Sequence, residues 1–269
     1  MIGYTKILDG QPARPWLVLA HGLSQSRDYF ARAVDHLATR YRVLALDLRG
    51  HGTSRSLPGP FGVEEYTDDV AEVLSAEGID QFAYWGTHTG SAVGVALALR
   101  SPVRVRCLVL EGAVVPGRDL PRTGELLARA RRIARAEGVG RAIEDWLQQA
   151  DWFAFMRQHP EQTLAAQHDA LVQAFAGGPW LSEDPPRTPG GAESQLSRLS
   201  LPILTYNGQA DLPEFLETAR FIQAHAPQVS REIVADAGGF PLWENPRAVL
   251  SLVTSFLDRI DRAAWEGSH

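Results

Sequence analysis

Short apolar runs that alternate with longer amphipathic stretches constrain this chain most. The runs are 16–20 (WLVLA), 42–47 (RVLALD), 81–85 (QFAYW), 105–110 (VRCLVL), 202–206 (PILTY) and 231–235 (REIVA). Between them, 29–39, 63–77, 91–99, 213–225 and 247–260 have the apolar spacing of helices. Near-continuous apolar strands suit a sheet covered on both faces, and strand–helix alternation implies parallel strands joined by crossover helices.

The alternation fails between 116 and 199. Stretches 125–137, 142–157 and 161–175 read as helices, and 176–192 (AGGPWLSEDPPRTPGGA) reads as a Gly/Pro loop. The expected organisation is one α/β core in two parts, 1–115 and 200–269, interrupted by a helical lid over 116–199. Such a lid covers a site at the carboxyl ends of the strands.

A length of 269 residues accommodates one large domain with a sizeable core. A net charge of -6 argues against a nucleic-acid partner, which needs a basic field over phosphates. The apolar runs are too short to span a membrane, and residues 1–16 lack the apolar region of a secretory leader. The single cysteine, Cys107, sits within an apolar run and reads as a core residue. The expected location is cytoplasmic, and the expected partner a small-molecule substrate, with a homodimer left open. No cofactor is implied, and no ligand spacing suggests a metal.

Four segments carry a pattern. They are His21-Gly-Leu23, Asp47-Leu-Arg-Gly-His-Gly-Thr-Ser54, Gly86-Thr-His-Thr-Gly90 between a strand and a helix, and Gly238-Gly-Phe-Pro-Leu-Trp-Glu-Asn-Pro246. In this order they resemble the α/β-hydrolase fold superfamily, over nearly the whole chain outside the lid. The resemblance implies a mostly parallel sheet flanked by helices, with a strand–turn–helix elbow that presents a nucleophilic serine. It also implies an acid at Asp211, in Gly208-Gln-Ala-Asp211. The chain departs from the family twice: His88 stands at the serine position, and Gly239 at that of the catalytic histidine.

An acyl-serine route needs a hydroxyl and a base within hydrogen-bond reach, and neither position supplies one. The expectation is that the His88 ring fills the room left open at Gly239 and reaches Asp211, forming a His–Asp dyad. The resemblance implies oxyanion donors at the backbone amides of Leu23 and Thr89. Gly86, Gly90, Gly239, Trp152 and Phe240 are expected to shape the elbow and pocket. Glu111 is a second candidate acid, weighed against a solvated strand-end carboxylate. His168 is a candidate pocket residue from the lid. Asp211 has a structural reading as a turn-former, and His88 one as a space-filler. His21 and His51 read as structural; His159, His225 and His269 as surface residues. The lid aromatics Trp146, Trp152, Phe153, Phe155, Phe175 and Trp180 read as lid core with some pocket lining. The lid arginines, Arg118 among them, read as a solvated face.

The expected function is acid–base chemistry on a small, largely apolar molecule, of the cyclase, lyase, isomerase or decarboxylase kind. The alternatives are hydrolysis of an ester, lactone or epoxide by water activated at His88, and non-catalytic ligand binding on the same scaffold.

Overall fold

The computed structural model describes residues 1–8, 14–187 and 190–266, with side chains as far as 262. Its sheet has seven strands: β1 Tyr4–Ile7, β2 Trp16–Ala20, β3 Arg42–Leu46, β4 Phe82–Thr87, β5 Val105–Glu111, β6 Ile203–Gly208 and β7 Val229–Val234. Their spatial order is β1-β3-β2-β4-β5-β6-β7. Only β1 runs antiparallel, pairing with β3; every other pair is parallel. The α/β-hydrolase architecture expected from the sequence is therefore present.

Burial explains the apolar runs. Leu17, Leu19, Val43, Trp85 and Val109 join a core on one face of the sheet, while Val18, Leu44, Tyr84 and Leu108 join a core on the other. Alternate side chains enter opposite layers, so both must be apolar. β1 escaped the sequence reading because it is a four-residue edge strand, half-exposed, with no apolar run. β4 and β6 extend two residues further than expected, to Thr87 and Gly208, because their ends remain paired with Glu111 and Val234.

Helices α1 Ala31–Ala38, α2 Val63–Ala76 and α3 Thr89–Arg100 join β2, β3, β4 and β5 in turn. Between β5 and β6 lie α4 Pro121–Glu137, α5 Val139–Gln149, α6 Ala154–Gln158, α7 Ala165–Gln173, α8 Gly178–Leu181 and α9 Ala192–Gln195. The helix expected over 142–157 is broken. Ala150 is extended, a 3-10 turn covers Asp151–Phe153, and Arg157 Nη1 donates to the carbonyls of Leu147 at 2.8 Å and Ala150 at 2.9 Å. The guanidinium satisfies carbonyls that the break orphans. The expected loop 176–192 contains α8, with Trp180 fully buried; Thr188 and Pro189 lie outside the described residues. Helices α10 Pro213–His225, α11 Pro241–Glu244 and α12 Pro246–Glu266 complete the chain. No helix among the described residues is long and apolar enough to cross a membrane.

β2 and β4 are neighbours, but β2 continues to β3 on one side while the chain after β4 continues to β5 on the other. A crevice opens at the carboxyl ends of strands where connections diverge in this way. Ala20 pairs with Gly86, so the turn after β2 lies beside the turn after β4.

Candidate active site

The turn between β4 and α3 is tight and strained. His88 has φ 46° and ψ −109°, a conformation few side-chain-bearing residues adopt. Its neighbours make the turn feasible. A Cβ on Gly86 would lie 2.3 Å from the Gly90 carbonyl oxygen, and one on Gly90 would lie 2.0 Å from that of Ala20. Only glycine lets α3 approach the sheet so closely. The elbow expected at Gly86 and Gly90 is thus formed, with His88 at its apex.

His88 lines a cavity of about 330 Å³. Leu23, Thr89, Trp152 and Phe240 line it too, together with Trp146 from α5 and Phe215 from α10. The walls are mainly apolar, and both lining tryptophans come from the segment between β5 and β6. Gly86, Gly90 and Gly239 support the surrounding turns without lining it.

Two expectations about His88 fail. Neither imidazole nitrogen has a hydrogen-bond partner, so the His88–Asp211 dyad is not formed. The Asp211 carboxylate instead accepts from Asn207 Nδ2 at 2.9 Å and from the Leu212 amide at 2.8 Å, the turn-forming role. Nor does His88 fill the room at Gly239. A Cβ there would meet the Trp152 carbonyl oxygen at 2.6 Å and Trp152 Cβ at 2.7 Å. The 3-10 turn Asp151–Phe153 occupies that room. The His88 ring lies elsewhere, against Gly112, where a Cβ would fall 2.6 Å from Nε2. Gly112 has φ 52°, so glycine serves there both the backbone and the ring. Phe215 and Phe240 wall the ring at centroid distances of 5.1 and 5.2 Å. Loss of water pushes its pKa down to about 4, and the imidazole is neutral at pH 7.

The turn after β2 is held from two sides. The Leu48 amide donates to His21 Nε2 at 3.1 Å, which places the ring proton on Nδ1, 2.7 Å from the Gly22 carbonyl oxygen. That carbonyl and the Leu23 N–H belong to one peptide unit, so His21 orients the amide that the resemblance marks as an oxyanion donor. The Gly22 amide donates to Gln25 Oε1 at 3.0 Å. The amides of Leu23 and Thr89 donate to no protein group among the described residues. His51 Nδ1 lies 2.9 Å from the Arg49 carbonyl, a structural placement like that of His21.

The remaining candidates divide. Glu111 is not a solvated strand-end carboxylate. It is fully buried, accepts from the Tyr29 and Tyr206 hydroxyls, and is pushed up to about 7 by burial. His168 is fully buried and does not line the cavity; its Nε2 is 3.1 Å from Gln25 Nε2. Arg118, expected on a solvated face, is a cavity residue paired with Glu193 at 2.7 Å. Of the surface histidines, His225 is exposed, His159 is half-buried, and His269 lies outside the described residues.

Ser24, which lines the cavity, and Ser91, three residues after His88, are the serines beside the elbow. Ser91 Oγ donates to the His88 carbonyl at 2.6 Å and accepts from the Val114 amide at 2.8 Å. Ser24 Oγ accepts from Trp146 Nε1 at 3.1 Å. Neither hydroxyl has an imidazole or carboxylate partner to act as base. A fluorophosphonate probe is therefore expected to label neither serine. Mass-spectrometric detection of an adduct at either one would contradict this.

The sequence model described as the alpha/beta hydrolase fold matches residues 15–246. The chain belongs to this family. Curated relatives extend over nearly its whole length. The 3-oxoadipate enol-lactonase 2 of Acinetobacter baylyi is 24% identical over 254 residues, 94% of this chain and 92% of that protein. The 2-succinyl-6-hydroxy-2,4-cyclohexadiene-1-carboxylate synthase of Yersinia pseudotuberculosis is 30% identical over 261 residues, 93% of this chain and 89% of that one. Among solved structures, the enol-lactonase from Burkholderia xenovorans LB400 superposes with a TM-score of 0.82 at 23% identity, covering 96% of each chain.

Sequence reasoning missed Phe215, Gly112 and Arg118 as parts of the site. Each depends on contacts between distant elements. Phe215 had a local signal only as an apolar position in a helix.

Proposed function

We propose that this protein is a cofactor-independent enzyme acting on a small, largely apolar organic molecule, with His88 as the proton acceptor and no acyl-serine intermediate. One observation carries the reading: the family's nucleophile turn presents a neutral imidazole whose two nitrogens are buried and unpartnered beside an apolar cavity. A buried polar group without a partner costs about 1–3 kcal/mol, and a substrate hydroxyl or acidic C–H face would relieve that cost.

Proton transfer needs one ring nitrogen to turn toward the substrate. Phenyl rings wall the imidazole, and no hydrogen bond has to break for it to turn. As the proton leaves, negative charge develops on a substrate oxygen. The amides of Leu23 and Thr89 are free to receive it, and the Leu23 peptide is already oriented by His21. The imidazolium then returns the proton to the product. Cyclisation, elimination and isomerisation share this balance. Relatives named as a lactonase and as a synthase support chemistry beside a carbonyl or enol. The same base could deliver water to a lactone. The protein is proposed to work in the cytoplasm, with the segment over 116–199 as its lid.

The absence of a carboxylate bonded to His88 favours one second reading, a ligand-binding protein without turnover. A panel of enol lactones, aryl esters and β-keto acids separates the two. Wild-type protein is expected to turn over at least one compound, and His88→Ala to lose about 10²-fold or more in kcat with an unchanged circular dichroism spectrum. The acid limb of kcat/KM is expected near pH 4, where His88 titrates, not near 6.5. Full activity in His88→Ala would remove His88 as the base. Binding without turnover of any compound would favour the second reading.

A further inference from the structure

His168 lies on α7 and is buried completely, outside the cavity, yet it is linked by hydrogen bonds to the turn after β2. The chain of bonds has only one consistent assignment. The Gly22 amide donates to Gln25, so the atom facing it is the side-chain oxygen, Oε1, at 3.0 Å. The other end of the Gln25 amide is then its NH2 group, which faces His168 Nε2 at 3.1 Å. A donor there requires Nε2 to be an acceptor. The ring proton of neutral His168 must therefore sit on Nδ1, which has no partner. Burial pushes the His168 pKa down to about 3, so the acceptor persists at neutral pH.

We infer that His168 is a positioning residue, which through Gln25 fixes the Gly22–Leu23 turn and ties the segment between β5 and β6 to that turn's amides. His21 holds the carbonyl of the Gly22–Leu23 peptide, and Gln25 holds the N–H of the preceding peptide. The turn is clamped on both sides, one clamp within the core and one from α7. Movement of α7 withdraws the acceptor for the Gln25 amide and frees its oxygen to leave Gly22. The turn then keeps only its His21 clamp, so the Leu23 amide is held from both sides only while α7 is seated. Phe240 and Trp243 pack on the His168 ring at 4.5 and 5.4 Å, so its seating also senses the loop that borders the cavity. The consequence for catalysis rests on the proposed function; the tautomer and the hydrogen bonds do not.

The test needs no substrate. Long-range proton–nitrogen spectra of the full chain are expected to show His168 Nε2 unprotonated and Nδ1 protonated. A proton on Nε2 overturns the assignment. Substituting His168→Phe is expected to raise hydrogen exchange at the Gly22 amide about tenfold or more, because opening there becomes local. His168→Gln, whose side-chain oxygen reaches the Nε2 position, is expected to stay within about threefold of wild type. Unchanged exchange in the Phe variant overturns the link. Gln25→Glu provides a check that leaves the packing of α7 intact. Its carboxylate still accepts from Gly22 but cannot donate, so His168 is expected to acquire a proton on Nε2. A bare Nε2 in that variant also overturns the link. A dead His88 assay alongside these results would remove the proposed function and leave the clamp standing.

Discussion

Gly239→His is expected to lower stability by about 3 kcal/mol and to create no esterase, even when combined with His88→Ser. The substitution restores the residue that the family places at this position, but the room for it is gone. A Cβ alone would sit 2.6 Å from the Trp152 carbonyl oxygen and 3.0 Å from Trp152 Cα, both backbone atoms. Backbone cannot rotate away as a side-chain end can. The 3-10 turn Asp151–Phe153 would have to leave, taking with it a tryptophan that packs on Trp146 at a centroid distance of 4.7 Å and on Phe215 at 6.4 Å. At roughly 2–4 °C per kcal/mol for a domain of this size, the melting temperature should fall about 6–12 °C. Differential scanning calorimetry reads the shift. A variant that melts with wild type would mean that Trp152 yields freely and that the loop is open as the sequence suggested. Pairing Gly239→His with Trp152→Gly should not recover the loss, because the Trp152 carbonyl oxygen and Cα that crowd the new Cβ remain.

The same residues show where the sequence was legible. The elbow could be read from Gly86 and Gly90, because a strand-to-helix turn of this tightness demands glycine at local, fixed spacing. The sheet could be read because burial on two faces leaves continuous apolar runs. Gly239 could be read as a missing side chain, but not as room already filled. What fills it is Trp152, 87 positions earlier, brought there by a helix break at Ala150 that Arg157 stabilises. The same limit applies to His88: its residue type and its turn are local facts, while Gly112, Phe215 and Phe240 are tertiary ones. Glu111 looked solvated because a strand end usually is. The Tyr29 and Tyr206 hydroxyls that cover it come from 82 and 95 positions away.

Glu111→Ala is expected to cost about 4 kcal/mol, while Glu111→Gln costs about 1 kcal/mol. The carboxyl is fully buried and takes hydrogen bonds from both tyrosines; Tyr206 also accepts from Trp85 Nε1 at 3.1 Å. Truncation strands two hydroxyls away from water, whereas the amide keeps an acceptor in place. Urea denaturation of the two variants measures the difference, and equal losses would mean that water enters to replace the side chain. Protonation adds a second signature. Burial raises Glu111 and Asp211 to about 7 and Glu244 to about 8. Carboxyls raised in the folded state bind protons that the unfolded chain has released. Their contribution is complete below the unfolded values near 4 and disappears as pH rises through 7 to 8. The buried imidazoles act in the opposite sense. His51 and His168 are lowered to about 3 and His88 to about 4, so their contribution is complete above ~6.5 and fades as pH falls. Between pH ~4.5 and 6.5 the two sets oppose each other and stability should change little. From pH 6.5 to 8 only the carboxyls still act, and stability should fall with rising pH. In Glu111→Gln that decline should be shallower by the share of one proton. Parallel declines in variant and wild type would show that Glu111 is already ionised in the folded protein at pH 6, and that the tyrosines hold an anion.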